Sequence, residues 1–166
     1  AGSPSLVQCL LECGCRAAEK DAVGRGPVHF AAIGGHVEVL KALVAAAADL
    51  NDRDKQGRGP AHCAAWAKRE QALQYLSQAS VSLGITDHAG KTPAHYAAAE
   101  GHATILMCLY SLDAPIANRS NENQTPLQLA KEQGQQAVIA FFQEVKREVS
   151  INDDSPKRCG VPCMVQ

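Results

Sequence analysis

Thr92-Pro93-Ala94-His95-Tyr96-Ala97, with Gly101-His102 shortly after it, is the stretch that decides the fold, because it recurs. Upstream by 33 residues stands Gly59-Pro60-Ala61-His62-Cys63-Ala64, and upstream by 33 again Gly26-Pro27-Val28-His29-Phe30-Ala31. Downstream by the same step comes Thr125-Pro126-Leu127-Gln128-Leu129-Ala130. The offset also carries Gly24 to Gly57 and Gly90, Asp21 to Asp54 and Asp87, and Leu40 to Leu73 and Leu106. Aligned columns of this number do not arise by chance, so the chain is an array of one repeated unit.

Within a unit, an Asp and a Gly flank a turn in which glycine tolerates positive φ, and Pro follows where the first turn of a helix needs no amide donor. Thr92 and Thr125 stand where a hydroxyl can cap that helix. Alanine pairs such as Ala31-Ala32 run through it, and Gly35, Gly101 and Gly134 supply a left-handed stop. Val39, Leu40, Leu43 and Val44 then show the i, i+3, i+4 spacing of a buried stripe on a second, longer helix. Only 4% of residues are aromatic while alanine is abundant, which favours helices packed closely on one another over a strand-rich sandwich.

A turn, a short alanine-rich helix and a longer leucine-bearing helix at this period resemble the ankyrin repeat, whose signature Thr-Pro-Leu-His-x-Ala the four quoted segments match piecewise. The resemblance spans about residues 5 to 146 and implies an all-α solenoid of stacked helix-turn-helix units with β-turn fingers. It divides the chain into the second helix of a preceding or partial repeat at 1–20, repeats at 21–53, 54–86 and 87–119, a C-terminal capping repeat at 120–148, and a flexible tail at 149–166. Leu6, Val7, Leu10, Leu11 and Gly14 carry the first of these, so the chain is expected to begin inside a repeat.

Departures from the pattern single out the second and fourth units. Gly26 and Gly59 replace the capping threonine, weakening the starts of those helices by a few tenths to about 1 kcal/mol. Lys68-Arg69 stands where the other units carry Gly35-His36 and Gly101-His102, and a non-glycine at the left-handed position costs roughly 1 kcal/mol. The fourth unit substitutes Asn123, Gln128 and Gln135 and turns polar after Val138, Ile139 and Phe142, as suits a cap facing water.

Repeats bury their shared columns against neighbours, which leaves the varying positions of the turns and first helices to choose a partner. By register with the family, that face comprises Arg25, Ile33, Arg53, Lys55, Gln56, Arg58 and Trp66 in the first two units, and His88, Lys91, Ala99 and Glu100 in the third. Trp66, the sole tryptophan, rimmed by Arg53, Lys55 and Arg58, has the composition of an interaction hot spot. The alternative is an indole packed partly on Lys68 and Arg69, with the basic residues a solvated rim.

His29, His62 and His95 fall one per unit at one register, and the family reading gives each a hydrogen bond between neighbouring tips. Repeat spacing sets them about 10 Å apart, too far to share a tetrahedral ion. Cys9, Cys13 and Cys15 lie closer but lack a fourth ligand at zinc spacing. No phosphate-binding loop, nucleophile elbow or helical His-Glu-x-x-His is present, so neither a catalytic constellation nor a cofactor or small-molecule substrate is expected. Asp49-Leu50-Asn51 resembles the ankyrin context in which cytosolic oxygenases hydroxylate an asparagine, here Asn51; the other reading is the repeat's ordinary closing turn.

Sixteen Lys and Arg against 17 Asp and Glu give a net charge of −1, with no field to draw in nucleic acid. Seven cysteines, odd in number, with Cys9, Cys63 and Cys108 set within helical patterns, read as small buried hydrophobes in a reducing compartment, the cytosol. After about Glu148 the pattern stops. Cys163-Met164-Val165-Gln166 has the form of a prenylation box, with Cys159 and Lys157-Arg158 as second signals, or it is an arbitrary end. The expected function is therefore an adaptor that binds a protein partner through a concave face, membrane-tethered if the tail is lipidated. The alternative is a fragment of a larger ankyrin protein that gives rigidity or self-association, with the tail incidental.

Overall fold

In the computed structural model residues 19–151 are described, with side chains to residue 147. The preceding-repeat reading of 1–18, with Cys9, Cys13 and Cys15, and the lipidation reading of Cys159 and Cys163 lie outside the described residues. Within them the chain is all-helical, in four helix pairs: α1 Pro27–Gly34 with α2 Val37–Ala45, α3 Pro60–Trp66 with α4 Glu70–Gln78, α5 Pro93–Ala99 with α6 Ala103–Ser111, and α7 Pro126–Glu132 with α8 Gln136–Ile151. Each first helix packs on the first helix of the next pair, and each second helix on the next second helix, so two layers run the length of the stack.

Side-chain size sets the layers. The first helices meet through alanine: Ala32, Ala61, Ala64, Ala65, Ala97, Ala98 and Ala130 are fully buried, and their small volume lets the helix axes approach. Between the layers and along the second helices the filling is larger, with Leu40, Leu73 and Leu106 completely enclosed in one column and Leu43, Leu76 and Leu109 in another. Phe141 lies edge-on to both Tyr110 and Phe142, which closes the last pair with aromatic bulk.

Turns between pairs form fingers joined by the backbone. Lys55 N–H donates to the Val23 carbonyl at 2.9 Å, His88 N–H to Gln56 at 2.9 Å and Asn121 N–H to Ala89 at 3.0 Å, so each finger is bonded to its predecessor. Gly90 shows why glycine recurs there. Its φ is +73°, and an added Cβ would sit 2.7 Å from the Asn121 amide nitrogen, which needs that space to reach Ala89.

The histidine column is the second tie. The Gly59 N–H donates to His62 Nδ1 at 3.2 Å, which leaves Nε2 as the protonated nitrogen, and Nε2–H donates to the Lys91 carbonyl of the next finger at 3.0 Å. His29 repeats this between Gly26 and Arg58, and His95 between Thr92 and Gln124. The ring thus bonds the N–H of the cap residue itself, while the His29 and His62 amides donate to the Gly26 and Gly59 carbonyls. Thr92 differs from expectation: its hydroxyl lies 2.9 Å from His95 Nδ1, drawn to the imidazole that stands at the first turn. Only where glutamine replaces histidine does the threonine cap as expected. Thr125 Oγ1 accepts from Gln128 N–H at 3.3 Å, and Gln128 Oε1 accepts from Thr125 N–H at 2.8 Å, a reciprocal capping box.

A third column joins the far ends of the first helices. Arg69 Nε donates to the Ile33 carbonyl at 2.8 Å and Gln135 Nε2 to Ala99 at 2.9 Å, while His102 Nε2 lies 3.1 Å from the Trp66 carbonyl. Arg69 therefore performs a stacking function in an unusual chemical form. Its neighbour Lys68 holds the left-handed conformation the sequence demands, φ +58°, beside Gly35 at +73°, Gly101 at +76° and Gly134 at +69°. Lys68→Gly is expected to stabilise the fold by about 1 kcal/mol, read as a higher denaturant midpoint with unchanged slope.

Candidate functional site

Fingers and first helices share one side of the stack, and an aspartate organises each of the first three fingers, with Ser120 in its place in the fourth. Asp54 is buried, and its Oδ1 accepts from Gln56 N–H and Arg58 N–H, both at 2.9 Å. Its Oδ2 takes both Arg58 Nε at 2.7 Å and Nη2 at 2.6 Å, so one oxygen accepts two charge-assisted hydrogen bonds. Burial pulls the Asp54 carboxyl upward, but the hydrogen bonds from the Arg58 side chain and from the Arg58 and Gln56 amides outweigh it and hold the group below its usual range. Asp21 repeats the arrangement with Arg25 at 2.8 Å. In the third finger Asp87 accepts from the Ala89 and Lys91 amides, and Tyr96 supplies the other donor with its hydroxyl at 2.6 Å. Burial first, and Asp87 second, push the Tyr96 phenol well above its ordinary range.

The candidate residues of the sequence divide into fixed and free. Arg25 and Arg58 are half-buried and tied to their aspartates. Arg53 is exposed, yet its Nη1 reaches the Thr86 carbonyl at 2.7 Å in the next finger. Lys55, Gln56 and His88 are exposed on the finger tips, and Lys91 is half-buried with its carbonyl given to His62. Ile33 and Ala99 are half-buried on α1 and α5. Trp66 is 49% exposed at the end of α3, and its indole N–H donates to Glu100 Oε1 at 3.2 Å, so it turns towards α5. Asn51 is exposed in the turn after α2, where its amide donates to Asp49 Oδ1 at 2.8 Å.

Phe30 is the residue that register alone passed over. It is 47% exposed on α1, with the Arg25 guanidinium carbon 4.9 Å from its ring centroid. The sequence carried a signal for it, since Phe30 occupies the one variable position of the six-residue signature. With the finger residue Val23 and with Trp66 it makes the apolar part of a face whose charged part is Arg25, Arg53, Lys55, Arg58, Lys91 and Glu100.

The His29, His62 and His95 rings spend both nitrogens on backbone groups, so the column is architectural. A family model described as ankyrin repeats, in three copies, matches residues 1–87 and 79–153. No curated protein matches the chain.

Proposed function

Because the chain belongs to the ankyrin-repeat family, we propose that it is a protein-binding module whose partner lies across the fingers and first helices, anchored at Phe30 and Trp66. Ankyrin repeats commonly mediate protein–protein interaction and are generally non-enzymatic. The observation that carries the placement is the exposure of two large aromatic side chains, each about half accessible, on the side where the pinned guanidinium groups of Arg25 and Arg58 already stand. Aromatic anchors beside pre-ordered arginines lose little side-chain freedom when a partner docks. Cytosolic action fits the buried thiols of Cys63 and Cys108, each pushed up by burial to about 11 and so kept protonated and unreactive. If Cys163 is lipidated, a membrane tether is added, and intact mass of protein from animal cells decides it.

Affinity capture from lysate tests the face. Trp66→Ala with Phe30→Ala is expected to reduce recovery of the partner by about tenfold or more, while Met107→Ala on the exposed side of α6 leaves it unchanged. Helicity should hold, and stability should change by no more than about 1 kcal/mol, since both rings are half solvated. Equal recovery by all three proteins would overturn the placement. Arg58→Ala is the wrong probe, because it leaves buried Asp54 without its counter-ion.

A further inference from the structure

We propose that Trp66 and Glu100 form a subsite for a cationic side chain, an arginine or a lysine, presented by the protein partner. The inference rests on the binding face proposed above and names the chemistry it recognises.

The first repeat already contains a filled version of such a subsite. There the Arg25 guanidinium stands 4.9 Å over the Phe30 ring and pairs with the Asp21 carboxylate at 2.8 Å. Aromatic face, cation and carboxylate make one unit. Between the second and third repeats two of the three parts recur. Trp66 offers a half-exposed indole, the strongest cation-binding ring among side chains. Glu100 is exposed and holds that indole through Oε1, which fixes the ring's orientation and leaves Oε2 to accept from a further donor. Among the described residues no lysine or arginine forms an ion pair with Glu100.

Neighbouring charges leave room for the third part. Arg69 is turned towards the first repeat, with Nε on the Ile33 carbonyl, whereas Glu100 lies on the side of the third repeat. His102 faces the Trp66 carbonyl. Lys68, exposed in the turn two residues beyond Trp66, is a cation that opposes the site. A guanidinium fits best, since it can stack on the indole while it donates to Glu100.

The sole tryptophan makes the test direct, because its indole N–H gives a single nuclear magnetic resonance signal. Titration with N-acetyl-arginine amide is expected to shift that signal saturably in the millimolar range, and the neutral N-acetyl-citrulline amide is expected to shift it far less. Glu100→Gln keeps an oxygen for the indole N–H but removes the charge, and should weaken the arginine probe by about threefold or more. Equal responses to the two probes, or an unweakened Glu100→Gln, would overturn the subsite. If partner capture depends on Trp66 while the arginine probe leaves the signal unmoved, the subsite falls and the binding face stands. If the probe binds but the double aromatic variant captures partner normally, the face falls.

Discussion

Lowering the pH from 7 to 4 is expected to remove about 3 kcal/mol of stability through His62 alone. Burial pulls its pKa from 6.5 down to about 4, against the smaller opposing influence of its bond to the Lys91 carbonyl. Below the ordinary value the unfolded chain takes up a proton that the folded one refuses. Stability from this group is therefore fully present above 6.5 and drains away as the pH falls towards 4, at about 1.4 kcal/mol per unit. His95 is displaced in the same direction, again by burial, and adds to the loss. Asp21 and Asp54 are held below their ordinary 3.8, so their contributions are present above that value and are lost only beneath it. The two windows are separate, and the histidine one comes first. Glutamine at Gln128 already meets the backbone N–H of its capping residue in the fourth repeat, so His62→Gln should fold and flatten the slope of stability between pH 6.5 and 4. Denaturant midpoints at intervals across this range read it out. The same slope in His62→Gln would assign the acid sensitivity elsewhere.

Ala64→Leu is the second large effect, at about 2–3 kcal/mol destabilising. Ala64 is fully buried in α3, which packs on both α1 and α5, and its column neighbours Ala31 and Ala97 are buried too. A leucine has no free volume to enter, so it must push the helix axes apart or take a strained rotamer. Because each repeat touches only its neighbours, the strain falls on the two interfaces of the second repeat, and the unfolding transition should broaden as the halves uncouple. Urea melts followed by circular dichroism test both parts. A change below about 0.5 kcal/mol with an unbroadened transition would mean that the first-helix layer is loosely packed.

Much of this fold was legible in the sequence for one reason: every repeat solves the same packing problem with the same residues, so columns expose the solution. The left-handed turn of Lys68 was legible because three glycines share its column. The role of Arg69 was not, since arginine, histidine and glutamine share no property at that position except an N–H that reaches backward. Arg58 was legible only in part. Its charge and register pointed outward, and its spacing of four from Asp54, repeated by Arg25 and Asp21, also held an internal pair that fixes the guanidinium in place. Phe30 was not legible because its variable position in the signature is buried as Cys63 in the second repeat and half-buried as Tyr96 in the third, and only in the first is it exposed. Thr92 stands at the capping position, but its hydroxyl goes to the His95 imidazole and makes no cap bond, which its sequence context does not reveal.

The most direct test of the binding face uses Trp66 as its own reporter. With the captured partner added, tryptophan emission from this chain, read with a partner preparation that contributes none, is expected to move to shorter wavelength and become less accessible to iodide quenching, as the half-exposed indole is covered. Emission and quenching that stay unchanged at saturating partner would contradict the account and place the interface on another side of the stack.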